Sequence, residues 1–356
     1  MSFVRYNPED SVVSTETVVR PMWSGNLNTL TTFFTSSIIS SSFYLNVYNE
    51  YPGALLSTTS SVQMAIQYGN KFGNGSNYVN SSISTVMPDG SSLTTSRVVY
   101  GQYRTLLLGT ESGSFNFGGT LNMGNACTAS STSGVDNPND IYIINIARNR
   151  YKEHINPGSL TLKLKNGAAE VSLTDNSQIA ATTNYTTAGA LYYTLISGSV
   201  GVAAVASVNA SVYGYLFPQS DIIILNPTAL SKSVIDGGIA FSPTINNPGT
   251  DNALPSQIYS LMSSSANFAL QSSENISAHY FFTRVKNQEF NYTTNPSIID
   301  ANGNLLYTTL INNPQTFITT IGLYNDNNEL LAVAKLSKPL VKDFTKEALI
   351  KVKLDY

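Results

Sequence analysis

Two histidines, one cysteine and a thin scatter of carboxylates are all that this 356-residue chain offers to nucleophilic or metal chemistry. His154 and His279 lie far apart, and neither belongs to an H-E-x-x-H or H-x-H pattern, so no zinc site is expected. A Ser-His-Asp relay would have to use one of them, and no G-x-S-x-G turn presents a serine. His279 precedes Tyr280, Phe281 and Phe282 in a strand-like run, where a hydrogen-bonded histidine is the ordinary expectation. Cys127 sits in a Gly/Ser/Thr-rich stretch with no histidine near it in sequence, and a nucleophilic thiol needs such a base. Asp300, Asn302 and Asn304 begin like a calcium loop, but the glycine stands fourth instead of sixth and no acidic twelfth residue follows. Those residues read instead as a hairpin turn. Gly73 and Gly75 lack the Lys-Ser/Thr pair of a phosphate-binding loop. The expectation is a chain without catalytic residues, metal or cofactor.

Charge narrows the partners. Charged residues make up 12% of the chain, about half the usual share of roughly 25%. Hydrophobic residues at 42% and a net charge of −3 describe a folded protein, with no basic domain for nucleic acid and no cationic face for an anionic membrane. The longest apolar stretch, Val200–Val208, falls well short of the about 20 residues that span a bilayer. With no apolar run in Met1–Asp10 and a single cysteine, neither a secretion leader nor an internal disulfide is expected. A protein left in the cytoplasm, or assembled there into a particle, fits best.

Six residues stand out as candidates for contact with other proteins. Trp23, the only tryptophan, lies in a loop between Pro21 and Gly25, as a packing anchor or an interface hot spot. Arg148, Arg150 and Lys152 fill the turn RNRYKEH, either simply solvated or meeting a partner through guanidinium forks. Lys338 and Lys342 belong to a C-terminal crowd with Lys335, Lys346, Lys351 and Lys353. That crowd reads as the solvated faces of strands or as a basic rim for an acidic neighbour.

Strands must position these residues. Ile350, Val352, Leu354 and Tyr356 alternate with Lys351, Lys353 and Asp355, the period of a half-buried strand. Phe317–Tyr324 and Leu330–Leu336 flank the polar turn Asn325–Asn328, and Asn302-Gly303 signals another hairpin between Ser297–Ile299 and Leu305–Leu310. Val12–Val19, Phe43–Tyr48, Val62–Tyr68, Ile141–Ile146, Leu160–Leu164, Tyr192–Ile196, Val200–Val208 and Phe281–Tyr292 also read as strands, and Val212–Phe217 with Ile222–Leu225 as a hairpin. Helices are expected at Ser96–Leu108, capped by Thr95 or Ser96, and at Asn252–Leu270. The remaining long segments, 70–82 and Thr110–Gly134, read as a hairpin tip and a loop. The fold class is mainly β, with antiparallel β-sandwich-type domains and a few short helices. Composition divides the chain at 1–165, 166–275 (Ala/Ser-rich) and 276–356.

Several stretches also resemble a family. GLYND followed by ELLAVAKLSKP and a closing IKVKLDY, the blocks 139–164 and 211–230, and the opening NPEDSVV with RPMWSGN are similar to virion structural proteins of contractile-tailed, T-even-like phages of marine bacteria and cyanobacteria. The resemblance covers the N-terminal third, the 139–165 block and everything after about Ser211, and leaves Thr174–Val205 unanchored. It implies a structural subunit of the virion, tail- or baseplate-associated, bound to other virion proteins and to copies of itself, with no catalytic residue to carry over. Neck and head-surface positions are also compatible. A second class of function, recognition of host glycans by Tyr and Asn side chains, stays open beside it. A hydrolase with a carboxylate pair is the third, but no pair can be singled out.

Overall fold

A computed structural model describes residues 6–35, 44–52, 60–75, 94–111, 113–118, 135–136, 138–178, 184–186, 188–203, 212–243, 254–291 and 296–355. The described strands of four or more residues begin with β1 (Ser11–Pro21), β2 (Tyr44–Tyr48), β3 (Val62–Asn70), β4 (Asp140–Ile146), β5 (Thr161–Asn166) and β6 (Ala169–Asp175). They continue with β7 (Leu191–Ser199), β8 (Gly214–Phe217), β9 (Ile222–Leu225), β10 (Gln271–Val285), β11 (Thr316–Tyr324), β12 (Leu330–Lys342) and β13 (Ala348–Asp355). Two helices exceed ten residues, α1 (Thr95–Leu108) and α2 (Leu254–Ser265). The protein is mainly β and its sheets are antiparallel, as the alternating runs and turn clusters lead one to expect.

The chain forms two compact units. The large one is Val18–Glu274; the small one joins Met1–Thr17 to Asn275–Tyr356. The compositional boundary at 276 falls beside this division. The one at 165/166 does not: it lies at the turn of the β5–β6 hairpin, where Leu162 faces Leu173 and Asn166 faces Ala169. An Ala- and Ser-rich stretch looked like a change of domain, but small residues pack as closely inside a sheet as large ones.

In the large unit one sheet runs Thr29–Leu30, Phe268–Ala269, β5, β6, β7, β8, β9, β4, β3, β2, Phe34–Thr35. β4 is an interior strand, with Ile144 opposite Ile223 of β9 on one side and Ile66 of β3 on the other. Both faces are covered, which is why Ile141–Ile146 is apolar without alternation. Ile141 and Ile143 join the core under α1, with Tyr100, Phe115, Phe117 and Tyr215. Tyr142, Ile144 and Ile146 belong to the larger core, where α2 packs against β5 at one limb of the sheet and β2 and β3 at the other. Gly69 lets α1 approach β3: a Cβ there would stand 3.0 Å from the Tyr100 backbone nitrogen.

Several local expectations shift. The residue before α1 is Thr94, whose hydroxyl donates to the Gly73 carbonyl at 2.6 Å and so caps no helical N–H. α2 stops at Ser265, because Ala266 takes a left-handed conformation (φ 48°); Phe268 then pairs with Leu162 in the sheet and does not extend the helical stripe. Val200, on the two-residue turn Val200-Gly201, and Val202, paired with Ser199 in the short strand Val202–Ala203, are both exposed, so Val200–Val208 begins as a turn and an exposed strand and not as a buried one. Residues 204–211, Phe43, segment 76–82 and most of the loop Thr110–Gly134, with Cys127, lie outside the described residues.

In the small unit β10 pairs with β13 over eight residues, placing Phe281 opposite Val352 and Tyr280 opposite Lys353. β11 and β12 form a separate two-stranded ribbon. A bulge between Ile318 and Thr320 reverses the phase of β11: Phe317 and Thr319 point outward, while Ile321 and Leu323 point inward. Strict alternation along Phe317–Leu323 therefore fails midway. β10 ends at Val285, short of Tyr292. The Asn302-Gly303 turn forms with Gly303 at φ 84°, but only one bridge, Ile299 to Leu305, follows it. The expected return strand is a five-residue helix, Thr308–Asn312.

Candidate functional site

The chemistry-bearing residues stay scattered. Among the described residues no group of three or more His, Cys, Asp or Glu could hold a metal ion. His154 carries a 3.7 Å contact with Glu153 and pairs through its backbone with Ser273. His279 Nε2 lies 2.9 Å from the Ser11 hydroxyl, a hydroxyl–imidazole distance of catalytic length. The two residues face each other across β1 and β10, and Phe281 covers the imidazole at 4.5 Å ring to ring. The contact has the form of a cross-strand hydrogen bond. Asp300 accepts from the backbone N–H groups of Asn302 and Asn304 at 2.9 and 2.7 Å, and these bonds hold its carboxyl below the ordinary range. That is a turn clasp, built from the residues that mimic a calcium loop.

Of the six contact candidates, Trp23 and Lys342 are interior. Trp23 is 3% exposed, packs tilted against the Phe268 ring at 4.9 Å, and donates its indole N–H to the Phe268 carbonyl at 2.8 Å. It is the packing anchor, with its polar edge satisfied. Lys342 is fully buried, which removes it from any solvated rim. Its ammonium donates to the carbonyls of Asn287 and Asp343 and to the Asn291 side chain, at 3.0, 2.9 and 2.9 Å. Three donors meet three acceptors, so the charge serves to tie the turn after β10 to the end of β12. Sequence showed only its membership of a lysine-rich tail.

Arg148, Arg150 and Lys152 come together in one turn of the large unit. Arg148 donates to the Tyr151 and Lys152 carbonyls at 3.0 and 3.1 Å and lies 4.6 Å over the Tyr151 ring. Arg150 donates to the Ser24 hydroxyl, part of a polar knot with Gln63, Ser61 and Asn49. Burial pulls its guanidinium below the ordinary value. Lys152 is exposed, and its backbone N–H donates to Ser272 Oγ at 2.9 Å. The Arg148 guanidinium thus shapes its own loop, and that of Arg150 ties the loop to Ser24.

Under this turn lies a group that sequence did not single out. Asp221 closes the β8–β9 hairpin in a left-handed conformation and is fully buried. Neither carboxylate oxygen makes a hydrogen bond of ordinary geometry. Burial pushes its pKa up to about 7, while the Tyr151 hydroxyl and Arg148 pull it back. The only signal in sequence was its place at the end of a Pro-Gln-Ser-Asp turn.

The surface of the small unit is unusual in another way. Among its described residues four apolar side chains are buried, Ala278, Val285, Ile321 and Val352, against fifteen large ones that are exposed. On β12 the ordering is inverted: Ala332 and Ala334 turn inward, while Leu331 and Val333 turn out, at 69% and 57% exposure. Phe317, Phe344 and Leu349 are also exposed. The lysines nearby divide. Lys353 pairs with Glu16 at 2.8 Å, Lys351 lies 3.9 Å over the Tyr280 ring, and Lys346 pairs with Asp343 at 3.2 Å. Lys335 and Lys338 have no ion pair or hydrogen bond among the described residues.

Fold and surface together define a mainly β, antiparallel protein of two units whose smaller unit presents apolar side chains and strand edges. No family model, no curated protein sequence and no solved structure matches the chain.

Proposed function

We propose that this chain is a structural subunit of a contractile-tailed phage particle, tail- or baseplate-associated, and that it works through protein–protein interfaces without turning over a substrate. One observation carries the reading: among its described residues the small unit exposes far more large apolar side chains than it buries, and β11 and β12 pair only with each other. Such a surface is a liability for a free monomer and an asset for a subunit that other chains cover. The resemblance of the C-terminal strands to virion structural proteins names the kind of particle. Its partners are other virion proteins and copies of itself, and its location is the virion assembled in the host cytoplasm.

The test is direct. Purified protein is followed by analytical ultracentrifugation across a wide concentration range, and washed particles are analysed by mass spectrometry. The reading expects self-association and a stoichiometric virion component. A monomer at high concentration, together with absence from particles, ends it.

A further inference from the structure

We propose that Asn302 is a site of spontaneous deamidation, and that the Asp300 turn around it sets the rate. In an asparagine followed by glycine the next backbone nitrogen reaches the side-chain amide most easily, because glycine has no Cβ to hinder the approach. The chain has three such pairs, Asn74-Gly75, Asn166-Gly167 and Asn302-Gly303. In the reaction the Gly303 backbone nitrogen forms a bond to Asn302 Cγ. The side-chain amide leaves as ammonia and carries off the Gly303 amide proton. Water then opens the resulting succinimide at either carbonyl, giving aspartate or isoaspartate. No oxidant or reductant is consumed.

The fold separates the three pairs. Attack requires the Asn-Gly peptide to rotate out of its native place, so the rate follows the free energy of local opening. At Asn74 the glycine is buried: a Cβ on Gly75 would stand 2.5 Å from Leu254 Cδ1 and 3.0 Å from Tyr68 Cε1. The Asn74 carbonyl also accepts from the Ser96 hydroxyl at 2.8 Å. At Asn166 the side-chain amide is engaged, donating to the Ile239 and Ala240 carbonyls at 3.0 and 3.3 Å. That pair also closes the β5–β6 hairpin, whose ladder runs unbroken from Leu162 opposite Leu173 to Asn166 opposite Ala169. Asn302 has neither restraint among the described residues. Residues 301–304 are all exposed, and nothing lies within 4 Å of a Cβ on Gly303. Only one bridge, Ile299 to Leu305, follows the turn. What holds the peptide is the Gly303 N–H on the Asp300 carbonyl at 3.0 Å, with Asp300 Oδ1 gathering the N–H groups of Asn302 and Asn304. An exposed turn tip of this kind is where opening costs least. Isoaspartate adds a methylene to the backbone and a second negative charge beside Asp300, so the product cannot rebuild that clasp.

The experiment incubates the full chain in mildly alkaline buffer and follows each pair by proteolysis and peptide mass spectrometry. In the folded protein the Asn302 peptide should convert at least about tenfold faster than the Asn74 and Asn166 peptides, and in urea the three rates should draw together. Asp300→Ala removes the acceptor of two N–H groups, so it should speed conversion at Asn302 in the folded chain and change nothing in urea. Unchanged rates at Asn74 and Asn166 show that this variant keeps the rest of the fold. If it does not, the contrast between the folded and the urea-treated unmodified chain still decides. An Asn302 peptide that keeps its amide, or an Asn74 or Asn166 peptide that reacts as fast in the folded chain, overturns the site. A well-folded Asp300→Ala chain that converts no faster at Asn302 overturns the role of the clasp.

Discussion

The two units solve the burial problem in opposite ways. The large unit closes a sheet and two helices around two cores, so that β4 is covered on both faces and even Trp23 and Gln63 are interior with their polar atoms bonded. The small unit builds β10 and β13 with the start of β1, and a two-stranded ribbon, from similarly apolar sequence and buries little of it. A two-stranded ribbon is at best marginally stable alone. The difference teaches that apolar content does not by itself make a core. Where large side chains face outward and alanines face inward, little apolar surface leaves the water within the unit, and in the proposed assembly another chain covers it.

The largest expected effects test that contrast with one substitution made twice. Ile144→Ala opens a void between β9, β3 and the main core, and should cost about 4 kcal/mol. Ile321→Ala, at the thin interior of the small unit, should cost about 1.5 kcal/mol. Urea unfolding with two probes reads both: Trp23 fluorescence reports the large unit and far-ultraviolet dichroism reports both units. In the unmodified protein the dichroism should begin to fall at lower urea than the fluorescence. Coincident transitions would break the contrast.

Next comes pH, which should act on the large unit. Asp221 is raised to about 7 when folded, from 3.8. A carboxyl whose folded pKa is raised favours the native state most below its unfolded pKa, and that contribution is lost as pH rises through the folded value. Stability monitored by Trp23 should therefore fall between about pH 4 and pH 7, by roughly 2–4 kcal/mol. Asp221→Asn tolerates the left-handed backbone and removes the charge, so it should flatten this profile and raise stability at pH 8. An unchanged slope would show that another group sets it.

Lys342 sharpens the picture of the small unit. Lys342→Met removes the ammonium donor from the Asp343 carbonyl and from Asn291 Oδ1, while the Asn287 carbonyl keeps the Asn291 amide N–H at 2.6 Å, so the cost should be about 1–2 kcal/mol in the early dichroism transition. Lys338→Met, on the same strand but exposed, should change stability by less than about 0.5 kcal/mol. The smallest effect runs the other way. Val200 sits at φ 49°, which a β-branched residue adopts only with strain. Val200→Asn suits a turn that already has Gly201 at φ 71° and should stabilise the large unit by about 1 kcal/mol. A thermal melt suffices to see it.

Most strands and the hairpin at Pro218–Asp221 could be read from the chain, because period-two patterns and turn residues are local signals. The mispredicted ends have local causes of another kind. Ala266 breaks α2 without a glycine or proline to announce it, and the bulge after Ile318 inverts a pattern that sequence presents as regular. Of the six contact candidates, sequence could not separate Lys338 from Lys342, four residues apart on one strand, since burial depends on what the turn at Asn287–Asn291 does. The outward apolar side of β12 was visible as letters, yet its direction was not.

By itself, then, the sequence determined which segments extend and where many of them turn. Only the tertiary structure decided which side of each ribbon is covered, that Asp221 is shut away from water, and that the 165/166 seam is the turn of a hairpin. The reason is physical: strand and turn propensities act over a few bonds, whereas burial is set by elements hundreds of residues apart.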